Sequence, residues 1–214
     1  MTTSQLQLPL DTWVSATWDE YLHTLEDPIC KTAKGYYYNG KMRIEMSPVG
    51  NDHASDHSIV TYAVHLFAAL KKIDLNGKDN CTYRKAGLDD AQPDASFYIG
   101  ETAEVVPYGT TIIDLNIYPP PTLVIEVANT SVSDDKGDKR LLYEELGVAE
   151  YWIVDVQDVQ VLVFAVENGG SRKITQSQVL PNLDVSLLNE AMRLTRQMNH
   201  GKVSAWLLSK FQLS

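Results

Sequence analysis

Three consecutive segments decide the fold: LVIEVA at Leu123–Ala128, DDKGDKRLLYEEL at residues 134–146, and YWIVDV at Tyr151–Val156. The first and third segments are nearly all apolar, as expected of central strands that are buried on both faces. The second has the apolar spacing of a helix, and Gly147 follows it as a stop signal. A strand, a helix and a strand in this order predict a βαβ crossover in which the two strands run parallel.

Further strands and helices are predicted around this crossover. Trp13–Leu25 and Asn51–Lys72 have helical apolar spacing, and Asn39-Gly40 between two strand-like runs is a strong hairpin signal. The other predicted elements are strands at Cys81–Arg84, Pro93–Ile99 and Val159–Val166, a turn at Asn76–Asp79, and one or two helices within 184–198 and 201–212. We expect one α/β domain over residues 1–214, with a mixed sheet and helices on both of its faces. Its parts are an N-terminal helix and hairpin at about 13–46, a core at about 51–166 and C-terminal helices at about 184–212.

The charge balance limits the classes of partner. The chain has 214 residues and a formal net charge of −10, from 18 Lys and Arg against 28 Asp and Glu. This excludes a general basic coat for nucleic acid but leaves room for a local basic groove. No apolar run is long enough to cross a membrane, and no signal peptide is predicted. We therefore expect a cytoplasmic protein whose two cysteines, Cys30 and Cys81, are reduced.

Glu126 is the single carboxylate in the apolar segment Leu123–Ala128. Burying an unpaired charge costs several kcal/mol, so a cationic group should meet this side chain. One interpretation is a salt bridge to a nearby Arg or Lys. The other is a metal ligand, because perturbed acids are concentrated at functional sites.

Lys139 lies on the inward stripe of the crossover helix, three and seven residues before Leu142 and Leu146 and next to Tyr143. From there it can reach toward the end of the sheet that carries Glu126. The alternative is a lysine that covers apolar surface with its stem and keeps its charge in water.

Asp94 follows Pro93 at the start of a predicted strand. If this strand neighbours the strand of Glu126, the two carboxylates can converge and share a cation. Hard oxygen ligands suit Mg²⁺ or Mn²⁺, so Asp94 and Glu126 are the predicted metal ligands. The alternative is an aspartate that caps a turn.

The set Asp94, Glu126 and Lys139 resembles the acid, acid and lysine of the restriction-endonuclease-like PD-(D/E)XK superfamily. A longer run, from Pro121 through Asp138-Lys139 and Tyr143 to the Gly147–Asp155 block, resembles the Uma-type restriction endonuclease family. Glu45-Met46-Ser47-Pro48, followed by His53 or His57, is similar to that family's N-terminal half, and the resemblance covers roughly residues 15–185. It implies a restriction-endonuclease-like mixed sheet flanked by helices, with an N-terminal hairpin extension.

Two positions depart from the family pattern. Ala128 stands where the superfamily's Glu-x-Lys has its lysine, so Lys139 would be a lysine that has migrated to the next helix. Thr122 stands where the family has a second acid before the glutamate strand, which leaves Asp94 as the predicted aspartate.

Three further side chains are candidates for the site: Glu45, His57 and Tyr143. Glu45 precedes the long helix, a region from which the superfamily often supplies an extra acid. His53 and His57 lie one helical turn apart, a spacing that zinc could use, but a polar contact near the cleft is the favoured interpretation. Tyr36–Tyr38 and Trp152 are interpreted as structural.

The predicted function is metal-dependent hydrolysis of DNA phosphodiester bonds. Asp94 and Glu126 would hold Mg²⁺ or Mn²⁺, and Lys139 would position the attacking hydroxide or offset transition-state charge. The alternative is a non-catalytic protein of the same fold that binds nucleic acid or a protein, which Thr122, Ala128 and the net charge of −10 favour. A weaker alternative is a small-molecule hydrolase. The expected partner is DNA, and a homodimer is left open.

Overall fold

The computed structural model describes residues 10–46, 49–129 and 131–212. Its strands are β1 (Val14–Ser15), β2 (Lys34–Tyr38), β3 (Lys41–Glu45), β4 (Leu75–Asp79), β5 (Thr82–Lys85), β6 (Asp89–Ala91), β7 (Ala95–Ile99), β8 (Ile112–Asp114), β9 (Leu123–Ala128), β10 (Glu150–Asp155), β11 (Gln160–Glu167) and β12 (Gly170–Ile174). Its helices are α1 (Trp18–Glu26), α2 (Asn51–Lys71), α3 (Val132–Lys136), α4 (Asp138–Leu146), α5 (Val185–Thr195) and α6 (His200–Phe211). The predicted motif residues Ser47 and Pro48 lie outside the described residues.

The predicted crossover is confirmed. Strands β9 and β10 pair in parallel, with Glu126 opposite Ile153, inside a six-stranded sheet of order β12-β11-β10-β9-β7-β4 that we call the crossover sheet. Strand β7 lies antiparallel to β9, as the convergence of Asp94 and Glu126 requires. The predicted turn at Asn76–Asp79 is wrong, because these residues belong to the edge strand β4. Gly77 fits there because a Cβ at this position would lie 2.9 Å from both the His65 and Phe97 rings.

A second six-stranded sheet, which we call the hairpin sheet, has the order β1-β3-β2-β6-β5-β8. Its β2–β3 hairpin turns at Asn39 and Gly40, whose φ angles are 49° and 70°, as a two-residue turn of the predicted kind requires. The sequence predicted one mixed sheet. The chain forms two, because the short strand β6 pairs with β2 of the hairpin and β5 and β8 extend the sheet from β6.

The N-terminal helix begins later than predicted. Trp13 precedes the short strand β1, and α1 starts only after Thr17. The Thr17 side chain and Glu20 form a capping box, in which each caps the other's backbone N–H. This local hydrogen bonding fixes the start of the helix, whereas apolar spacing alone does not.

The crossover connection is two helices and not the single predicted one. It breaks at Gly137, which caps the end of α3 and the start of α4. A Cβ at this glycine would lie 3.1 Å from the backbone oxygen of Ser133, so the tight end of α3 favours glycine.

The two faces of the crossover sheet bury different partners. Leu123, Ile125 and Val127 face one core, which contains α2, α5 and α6. Val124 and Ala128 face the other core, where α4 supplies Leu142, Tyr143 and Leu146 and the hairpin sheet supplies Tyr36. Because side chains alternate along a strand, Glu126 also points to this second core. None of the helices in the described ranges is long and apolar enough to cross a membrane.

Candidate active site

Asp94, Glu126 and Lys139 are brought together at the second core. Asp94 lies on the link that leaves the hairpin sheet after β6 and enters the crossover sheet at β7. Its Oδ2 accepts a hydrogen bond of 2.7 Å from the backbone N–H of Val127, the residue after Glu126. All three side chains are buried, with at most 5% of each residue exposed. Asp94 thus lies beside the strand of Glu126, as predicted, and the sharing of one metal ion by the two acids stays a prediction.

Two basic side chains, Lys34 and His53, hold Asp94 as a carboxylate. Lys34 Nζ donates to its Oδ1, and His53 Nε2 lies 3.3 Å from the same oxygen. Burial alone would raise the pKa of Asp94, but His53 and Lys34 hold it well below its ordinary value. Asp94 thus stays ionised at neutral pH.

Two tyrosine hydroxyls contact Glu126, and the nearby positive charge does not offset the effect of burial on its pKa. The Tyr143 hydroxyl donates to its Oε1 at 2.7 Å, and the Tyr36 hydroxyl lies 3.1 Å from the same oxygen. Lys139 Nζ lies 3.6 Å from Oε2. Burial raises the pKa of Glu126 to about 8 against the effect of Lys139, and the negative charge of Asp94 adds to the rise.

Lys139 stands among three carboxylates. Its Nζ lies 2.9 Å from Glu45 Oε1, 3.2 Å from Asp135 Oδ1 and 3.6 Å from Glu126 Oε2. Burial alone would lower the pKa of Lys139, but these acids hold it well above its ordinary value. The predicted orientation toward Glu126 is confirmed, as are the buried positions of Leu142 and Leu146 on the same helix.

Glu45 joins the cluster from the hairpin strand β3. Besides Lys139, it accepts a hydrogen bond of 2.7 Å from Arg43 Nε. Burial would raise the pKa of Glu45, but Lys139 and Arg43 together hold it below its ordinary value. Arg43 Nη1 also lies 3.1 Å from Asp134 Oδ2. Arg43 therefore connects Glu45 with the start of the crossover connection.

The predicted histidine His57 lies beside the cluster. Its Nε2 lies 3.1 Å from Asp79 and 3.2 Å from the backbone carbonyl of Asp94, whereas His53 reaches the Asp94 carboxylate. Within the described ranges, no three His, Cys, Asp or Glu side chains form a ready cage for a metal ion.

The contacts of Arg43 and Asp135 were not predicted, and neither were those of Lys34 and Tyr36. Lys34 and Tyr36 both belong to β2. The predicted hairpin places Lys34 opposite Glu45, and Tyr36 follows two positions later on the same face. This spacing is the sequence signal from which both residues could have been predicted. Their acidic partners lie 60 and 90 residues away, so the local sequence gives no other indication.

An open cleft of about 220 Å³ leads to the cluster from one side. It is lined by residues from the hairpin sheet, from α2, from segments next to β7 and β9, and from the start of the crossover connection: Asp11, Lys34, Arg43, Glu45, Met46, Val49, His53, Asp94, Asn129, Ser131 and Asp134. A larger hollow of about 540 Å³, around Ile73, Gly100 and Asn182, contains none of the clustered acids. The smaller cleft is therefore the one that leads to Asp94.

A mixed sheet with a parallel crossover, flanked by helices and carrying buried acids beside a lysine, defines the restriction-endonuclease-like class. Residues 18–207 match the family model Uma2, described as "Putative restriction endonuclease", and the chain belongs to this family. A crystal structure from Anabaena variabilis, described as "a putative nuclease belonging to DUF820", has the same fold at 20% sequence identity. The match covers 82% of this chain and 98% of that one, with a TM-score of 0.54. No curated protein matches the chain.

Proposed function

We propose that the protein is a metal-dependent nuclease that hydrolyses DNA phosphodiester bonds, with Asp94 and Glu126 as ligands of Mg²⁺ or Mn²⁺. The observation that carries this proposal is the state of Glu126. This acid is almost fully buried, its pKa is raised to about 8, and it lies beside a second buried acid, Asp94. Membership of the restriction endonuclease family supports the nuclease class.

The residues present fit a divalent cation, because the cluster holds more acids than bases. Its carboxylates are those of Glu45, Asp94, Glu126, Asp134 and Asp135, and its lysines and arginine are Lys34, Arg43 and Lys139. A bound divalent cation would offset this excess of carboxyl groups and would favour the ionised form of Glu126. Mg²⁺ is usually held by one or two carboxylates together with water and substrate phosphate, so two ligands suffice without a protein cage.

When bound at such a site, the cation lowers the pKa of a water molecule and offsets charge on the phosphate. The residues of the chain prepare its ligands. His53 and Lys34 keep Asp94 ionised, and Tyr36 and Tyr143 fix the orientation of the Glu126 carboxyl group. We assign Lys139 a positioning role, because its contacts with three acids hold Glu45, Glu126 and Asp135 together.

A second candidate function is non-catalytic binding of nucleic acid or protein by the same fold. Two observations favour it. Thr122, which stands where the family has an acid, is engaged structurally, because its hydroxyl accepts a hydrogen bond from the Ile99 backbone N–H at 3.1 Å. Ala128 leaves the central strand without the usual lysine.

Cleavage of plasmid and oligonucleotide DNA, with Mg²⁺, with Mn²⁺ and with a chelator, tests the proposal. We expect cleavage only with metal, and Glu126→Gln should reduce it by about 100-fold or more, since the amide is a poor metal ligand. Glu104→Gln, at an exposed loop acid, is the matched control and should cleave like the wild type. Tight DNA or protein binding without cleavage under any metal condition would support the second function instead.

A further inference from the structure

We propose that Lys34, and not Lys139, is the lysine that contacts the scissile phosphate. This inference rests on the nuclease function proposed above and adds a catalytic residue to it. It follows from the different surroundings of the two ammonium groups.

Lys139 is enclosed by its partners. Only 2% of the residue is exposed, and its Nζ lies within 3.6 Å of three carboxylates and 4.3 Å from the centre of the Tyr36 ring. Glu45, Glu126 and Asp135 thus surround the ammonium group as ion-pair partners. To reach a phosphate, Lys139 would have to leave a buried acid unpaired.

Lys34 lies at the wall of the open cleft, beside Asp94, His53 and Glu45. Its side chain is 12% exposed, and its one ion-pair partner within the described residues is Asp94. This contact uses one of its three donors and leaves the others for a group that enters the cleft. Lys34 can therefore hold Asp94 and a phosphate oxygen at the same time.

Lys34 is also placed to replace the lysine that the central strand lacks. The strand reads Glu126-Val127-Ala128, and Asp94 accepts hydrogen bonds from both Lys34 and the Val127 backbone N–H. Asp94 thus connects the Lys34 ammonium directly to the strand, one residue before Ala128. The hairpin supplies from another sheet a cation that this strand cannot supply.

At this place an ammonium group would stabilise the transition state. During hydrolysis a water oxygen forms a bond to phosphorus and the bond to the leaving oxygen breaks. The attacking water loses a proton, and the leaving oxygen takes one up. The Lys34 ammonium stays protonated and donates to a non-bridging phosphate oxygen, where negative charge increases.

The test compares Lys34→Met with Lys139→Met and with Lys31→Met, a control at an exposed lysine three residues from Lys34. Cleavage is measured with Mg²⁺, and binding of a duplex oligonucleotide is measured in a chelator by fluorescence anisotropy. We expect Lys34→Met to cleave about 100-fold more slowly and to bind about tenfold more weakly. Lys31→Met should match the wild type.

Thermal melting shows whether a loss reflects unfolding. Because Lys34→Met removes a partner of buried Asp94, Lys34→Arg is the second variant. It keeps the charge, so it should remain folded and bind DNA, but its different geometry should slow cleavage by about tenfold or more.

The two proposals can fail separately. If the folded Lys34 variants cleave and bind like Lys31→Met, the assignment of Lys34 is wrong. If the wild type cleaves no DNA with any metal, the nuclease function is wrong. Weaker binding by Lys34→Met would then still support Lys34 as a phosphate contact, and unchanged binding would refute it.

Discussion

Asp135 and Lys139 lie one helical turn apart in sequence but on two separate helices, and 3.2 Å separates Oδ1 of the first from Nζ of the second. Gly137, where the two helices meet, thus lies between the two ion-pair partners in sequence. Both residues are buried, so the pair is shielded from water and from salt. Its position makes Lys139 the connection between the crossover helices and the acids of both sheets.

Replacing Lys139 by Met should destabilise the fold by roughly 3–5 kcal/mol, because buried Glu126 and Asp135 and the partly buried Glu45 lose their shared cation. Chemical denaturation measures this, with Lys136→Met at an exposed lysine of the preceding helix as the control. Mg²⁺ should raise the melting temperature of Lys139→Met more than that of the wild type. A variant with normal stability but no cleavage would instead show that Lys139 is catalytic.

Leu142→Ala should destabilise the protein by roughly 2–5 kcal/mol, because the side chain is fully buried between the crossover sheet and α4. Leu141→Ala is the matched control on the same helix, where 40% of the leucine is exposed, and it should change stability far less. Equal losses in the two variants would show that burial does not set the difference between these leucines.

Tyr143→Phe should lower stability by roughly 1–3 kcal/mol, because the buried Glu126 carboxyl group loses its shortest hydrogen bond. The exposed Tyr108 provides the control variant Tyr108→Phe, which we expect to be neutral. Denaturation curves of both variants with the wild type give the comparison. An unchanged midpoint for Tyr143→Phe would mean that Tyr36 alone satisfies the acid.

Asp89 should make stability depend on pH. Burial raises its pKa from 3.8 to about 6, and Glu145 adds to the rise while Lys85 opposes it. Because the folded-state pKa lies above the unfolded value, the folded state binds more protons between these values, and this contribution to stability falls as pH rises through the interval. The loss for this one group is up to about 3 kcal/mol.

Asp89→Asn should therefore be more stable than the wild type at pH 7. Between about pH 4 and 6, its free energy of unfolding should fall less than that of the wild type as the pH rises. Melting temperatures across that range, with Glu104→Gln as an exposed control, check this. Parallel pH profiles of the wild type and Asp89→Asn would contradict it.

The parts of the fold that the sequence predicted are long, periodic or marked by turn residues. The apolar strands β9 and β10, the inward stripe of α4 and the Asn39-Gly40 hairpin each carry a local signal. The second sheet could not be predicted in this way. Its strands β6 and β8 have three residues each, too few for a period, and β6 begins with two aspartates that are unusual in strands.

The residues of the candidate site also differ in how much local signal the sequence carries for them. Asp94, Glu126 and Lys139 stand out because each is a charged residue at an otherwise apolar or strand-opening position, and their combination resembles a known family. The sequence predicts His53 only as a polar contact near the cleft, and Lys34 carries no local signal beyond its place in the hairpin. Only the packing of the hairpin sheet and α2 against Asp94 gives them a shared partner.

The distance along the chain between the two halves of the cluster has a consequence for its synthesis. Tyr36 and Glu126 are separated by 90 residues, and Arg43 and Asp134 by 91, so each contact closes a long loop at an entropic cost. Contacts of this kind form slowly and depend on nearly the whole fold. A ribosome that has released only the hairpin carries a polypeptide with Lys34 and Tyr36 but no Glu126. For the nuclease function proposed above, we therefore expect that cleavage begins only after translation of the crossover is complete.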